Sequence, residues 1–139
     1  MPTPGYLDAT AMRYVDVGCY VWSRTRGHDG VEDDGVTQVD PIGGLVVDVS
    51  EMIDHDTAEV VRAYVVADTH RGRIRLRRMP ETDVNRETVE AAAPGQIAKV
   101  WRLLCAEIAY TERRQLRTGI ARPEHITMTT YAHRLAGLL

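Results

Sequence analysis

The chain has 139 residues, 44% hydrophobic and 27% charged, with a formal net charge of −3. That balance predicts one folded domain over residues 1–139 with a core that needs no disulfides, and it excludes wholesale disorder. The negative balance disfavours a bulk electrostatic grip on nucleic acid. No apolar run reaches about 18 residues, so no membrane span is expected. The first residues, Met-Pro-Thr-Pro-Gly-Tyr, lack the basic-then-apolar pattern of a secretory signal, so a cytoplasmic location is expected. Lys99 is the single lysine, and this skew toward arginine points to a high-GC coding genome rather than to a function.

Residues 13–24 read as a first strand. Val15, Val17, Cys19 and Val21 alternate onto one face, and Tyr14, Tyr20 and Trp22 fall on the other. Tyr20 and Trp22 are candidate stacking residues for a base or ligand, although aromatics so placed are more often covered by a helix. Arg26 to Gly35 is polar and Gly-rich and reads as a loop; counted from Asp29 it fails the calcium-loop pattern. Leu45 to Val49 is a short strand after the Pro41–Gly44 turn. Residues 57–68 are ambiguous. Val60, Val61, Val65 and Val66 favour a strand, while Asp56 followed by Glu59 resembles a helix capping box.

Arg71 to Arg78 reads Arg-Gly-Arg-Ile-Arg-Leu-Arg-Arg. In a strand Arg71, Arg73, Arg75 and Arg77 line one face, about 6.6 Å apart, with Ile74 and Leu76 on the other. Two interpretations follow: a charged sheet face paired with carboxylates, or a binding face for an anionic ligand or nucleic acid. A hairpin turn at Thr69–Gly72 sets Asp68 opposite Arg73 and Ala67 opposite Ile74, which puts apolar on apolar. Ile74 and Leu76 are then expected to be buried, and the arginines solvent-facing.

Thr82 or Asp83 can cap a short helix running to Ala93, with Pro94-Gly95 as its break. Gln96 to Arg117 is a long amphipathic helix, with Ile97, Val100, Trp101, Leu104 and Ile108 on one stripe, and Gly119 ends it. A last helix starts near Pro123. The fold expected is α+β: a small antiparallel sheet or half-open barrel over about residues 11–80, packed against helices over about 82–139.

Two short segments resemble known families. Val65 to His70, with its strand-end Asp-x-His, is similar to the first metal-binding motif of calcineurin-like metallophosphoesterases. The family's Gly-Asp-x-x-Asp and Gly-Asn-His elements have no counterpart downstream. Ile126 to His133 is similar to the segment around the nucleophilic tyrosine of tyrosine recombinases, but no His-x-x-Arg precedes Tyr131. Cys19 and Cys105 read as small buried hydrophobes, and Asp54-His55-Asp56 is a weak ligand set without a second cluster. No phosphate loop, dinucleotide fingerprint or nucleophile elbow is present. No catalytic residue, metal site or cofactor is therefore assigned. The leading expectation is a non-catalytic accessory or regulatory protein working through protein–protein contacts, as a homo-oligomer, with Leu135, Leu138 and Leu139 as interface candidates. Nucleic-acid binding through Arg71, Arg73, Arg75 and Arg77 with Tyr20 and Trp22 is the alternative, and a small enzyme acting on an anionic substrate the third.

Overall fold

Runs of β-branched residues and one long amphipathic run organise the chain. The computed structural model describes residues 15–24, 42–120 and 123–139, with side chains in the last segment from Thr127 onward. Among the described residues five strands, β1 (Cys19–Trp22), β2 (Gly43–Ile53), β3 (Val60–His70), β4 (Arg73–Pro80) and β5 (Glu90–Ala91), form one open antiparallel sheet in the order β4-β3-β2-β1-β5. Two helices follow, α1 (Pro94–Thr118) and α2 (Pro123–Ala136). The architecture is α+β, as expected; the sheet is not closed into a barrel, and its last strand falls beyond residue 80.

The ambiguous segment is strand β3. The β3–β4 hairpin keeps the expected face parity but sits two residues further along, with Ala67 opposite Leu76, Asp68 opposite Arg75 and Val66 opposite Arg77. Arg71 and Gly72 form its two-residue turn, with φ of 54° and 76°. Positive φ at both positions gives the twist that hairpin strands require. Arg71 is thus a turn residue and not part of the ladder. Residues 82–93 do not form a helix. They make two 3-10 turns (Glu81–Asp83 and Arg86–Thr88) and then β5. The cause is packing: Val84 and Val89 are both buried against the sheet face away from the helices. In a helix, residues five apart would point about 140° apart. Pro94 does not break a helix but opens α1, where the Gln96 side chain accepts from the Ala93 N–H at 2.8 Å. Gly119, at φ 73°, closes α1 as expected.

Of the expected first strand only Cys19–Trp22 is paired as β1; Tyr14 and the Arg26–Gly35 loop lie outside the described residues. In β2, Leu45, Val46 and Val47 are all fully buried, because both faces of the sheet are covered. Toward the helices Leu45, Val47, Val65 and Ala67 pack with Ile97, Val100, Leu104, Met128, Tyr131, Ala132 and Leu135. On the other face Val15, Val21, Val46, Tyr64, Val66, Met79, Val84 and Val89 form a second cluster. Val47 is a bulge residue, since Val46 pairs with Val66 and Asp48 with Val65. Both Val47 and Asp48 thereby serve the helix side, where Asp48 takes an ion pair from Arg134 of α2. Neither Cys19 nor Cys105 is in a disulfide, and both are only half-buried.

Candidate functional site

Where β2–β3 pairing stops decides where the surface opens. The last β2–β3 pair is Leu45 with Ala67. Beyond it β2 continues against β1 as far as Trp22 opposite Gly43, and β3 continues against β4 as far as His70 opposite Arg73. The sheet therefore forks, and a cleft of about 470 Å³ lies at the fork. One arm supplies Tyr20, Trp22 and Gly43, the other Asp68, Thr69 and Arg75, and the first turns of α1 supply Gln96, Lys99 and Val100.

Trp22 is 39% exposed and lies 5.7 Å from the Tyr20 ring, centroid to centroid. Its placement depends on glycine opposite: a Cβ on Gly43 would come within 2.5–2.7 Å of the Trp22 ring. Burial first, then the charges of Asp68 and Glu90, raise the Tyr20 hydroxyl above its ordinary pKa, so the phenol enters neutral pH as a neutral hydrogen-bonding group. Arg75 donates to both Asp68 oxygens, at 3.1 Å and 2.8 Å. Those hydrogen bonds, with the Asp68 charge, push the guanidinium further above its ordinary range. The two charges neutralise one another inside the cleft, leaving Lys99 at its rim. Asp68 thus holds this arginine in a two-bond fork.

The arginine ladder is dispersed. Arg73 leaves the strand to donate to Glu107 of α1 at 2.7 and 2.9 Å, and it lies 5.0 Å over the Tyr110 ring. Arg77 lines a different cleft, between β4 and the helices. Ile74 and Leu76 are half-buried against the helix-side core rather than fully buried. Two of the three ladder arginines on β4 are therefore in carboxylate pairs and do not present a free cationic face. Leu135 is fully buried in this chain's own core, which removes it from any interface; Leu138 and Leu139 are 47% and 56% exposed, and a Cβ on Gly18 would lie 2.9 Å from Leu138.

Tyr20, Trp22 and Arg75 were legible as candidates and the fold brings them together. Lys99, Gln96 and Thr69 were not candidates, and Asp68 was noted only in the Asp-x-His segment and across the hairpin, although Lys99, the chain's single lysine and off the apolar stripe, was a signal available in the sequence. Tyr131 is buried in the core, and Asp68 of the Asp-x-His segment is held by Arg75. Among the described residues no cluster of three or more His, Cys, Asp or Glu could hold a metal, and no helix is long and apolar enough to cross a membrane. Comparison of the chain with protein-family models, curated proteins and solved structures gives no match.

Proposed function

We propose that this chain is a non-catalytic binding protein that acts through protein–protein contacts, and that its contact surface is the forked cleft, where it associates with a second copy of itself. The observation that carries this reading is the exposed Trp22 beside Tyr20 and Arg75. Trp, Tyr and Arg are the residue types that dominate binding hot spots, and here they share one concavity with a polar rim of Thr69, Gln96 and Lys99.

Charge supports the symmetric choice. An isologous contact sets the same surface patch on both sides of the two-fold axis, so each residue meets a residue of that same patch. At the β4 edge that would set arginine against arginine, an arrangement that keeps edge strands apart. At the fork, Asp68 and Arg75 are already mutually neutralised, so two copies can approach with an aromatic centre. Sedimentation velocity over a concentration series tests this. The 15.6 kDa chain should move to twice its mass as concentration rises, and Trp22→Ala should weaken that step by tenfold or more, as hot-spot truncations do. Leu138→Asp with Leu139→Asp should leave it unchanged; loss of association only in that variant would move the interface to the C-terminus.

Nucleic-acid binding is the second reading, favoured by the aromatics Tyr20 and Trp22 in the same open cleft as Lys99. It predicts affinity falling steeply with salt and a loss on replacing Trp22 and Lys99.

A further inference from the structure

We propose that the second cleft, between β4 and the two helices, is a binding site for a small amphiphilic carboxylate, a molecule with an apolar body and one anionic head. The proposal does not depend on the fork.

The cleft measures about 470 Å³, within the roughly 300–1,000 Å³ of small-molecule sites. Val65, Leu76 and Met128 give it apolar walls continuous with the core. Arg77 and Arg78 line the same cleft, and neither has a carboxylate partner among the described residues. The acid that lines it, Glu107, is already held in its two-bond pair with Arg73. Apolar walls lined as well by Arg78, which pairs with Val65 on the helix-side face, and by its neighbour Arg77, both without carboxylate partners, match a ligand that is apolar at one end and anionic at the other. The planar fork of an arginine suits a carboxylate head in particular.

Tyr131 adds a third polar element. It lines the cleft, and burial first, then the charge of Asp48, raise its hydroxyl above the ordinary value, with Arg78 and Arg134 opposing. The phenol is therefore a neutral donor at neutral pH. A carboxylate seated between Arg78 and this hydroxyl would accept from both, while its chain lies along Leu76 and Met128.

Dodecanoate below its micellar concentration is the probe. Titration calorimetry on the full chain should show one saturable site, with acetate and dodecanol each at least tenfold weaker, because one lacks the apolar body and the other the charge. The double variant Arg77→Gln, Arg78→Gln should weaken dodecanoate by about tenfold or more while leaving dodecanol unchanged, at an unaltered melting temperature. Arg114→Gln, outside the cleft, should change neither. Methyl NMR should place the shifts at Leu76 and Met128. Equal affinity for dodecanol, undiminished binding by the double variant, or shifts centred on Trp22 would each overturn the proposal. So would binding to anionic phospholipid vesicles without binding of monomeric dodecanoate.

Discussion

The two faces of the sheet are closed by different physics. The helix side is closed by packing, with Leu104 and Leu135 fully buried between the helices and the strands. The opposite face carries no helix among the described residues, and the short 81–89 segment lies over it with Val84 and Val89. A polar network pins that segment: Tyr64 accepts from Arg62 and donates to Glu81, each at 3.1 Å, and Glu81 also takes an ion pair from Arg86. The difference teaches that an irregular segment can cover a sheet when hydrogen bonds fix what helical packing would otherwise hold.

The comparison breaks most decisively at Leu104. Leu104→Ala removes a fully buried side chain at the centre of the helix-side core and should lower unfolding stability by about 2–5 kcal/mol in urea titrations. A loss under 1 kcal/mol would mean the helices are not what closes that face.

On the other face Tyr64→Phe should cost about 1–2 kcal/mol by the same measurement, since it leaves Arg62 and Glu81 without a shared partner. It also has a pH signature. Burial, with the Glu81 charge, raises the Tyr64 hydroxyl above its unfolded value near 10. A group whose folded pKa is raised contributes stability below the unfolded pKa and loses it as pH rises through the folded one. Stability of the native chain should therefore fall from about pH 10 upward, and the Phe variant should fall less steeply. Equal slopes would contradict the network.

Arg73→Gln should have a smaller effect than Tyr64→Phe, because this guanidinium is 61% exposed, and the effect should shrink with added salt. The smallest change expected is a gain. Arg71→Asn places a residue that tolerates left-handed backbone at φ 54° and should raise stability by about 0.5–1 kcal/mol.

Face parity was legible in the sequence, but register was not. Ile74 and Leu76 determine which side of β4 meets the core, and sliding the hairpin by two residues leaves that parity untouched. Only the positive-φ pair Arg71-Gly72 distinguishes the two registers. The long helix was legible from the stripe of Ile97, Val100, Leu104 and Ile108. Residues 82–93 were not, because local capping signals at Thr82 and Asp83 yield to the burial of Val84 and Val89. The fork was beyond sequence reasoning, since it depends on where pairing between β2 and β3 stops. For that reason Tyr20, Trp22 and Arg75 could be named one by one but not as a single cleft.

The central claim is association through the forked cleft, and concentration-dependent mass tests it most directly. Sedimentation of the native chain beside Trp22→Ala and Gly43→Ala should show a native dimer and two weakened variants, the second because a Cβ at residue 43 displaces the Trp22 ring. A native chain that stays at 15.6 kDa up to millimolar concentration, or a dimer indifferent to both substitutions, would contradict it.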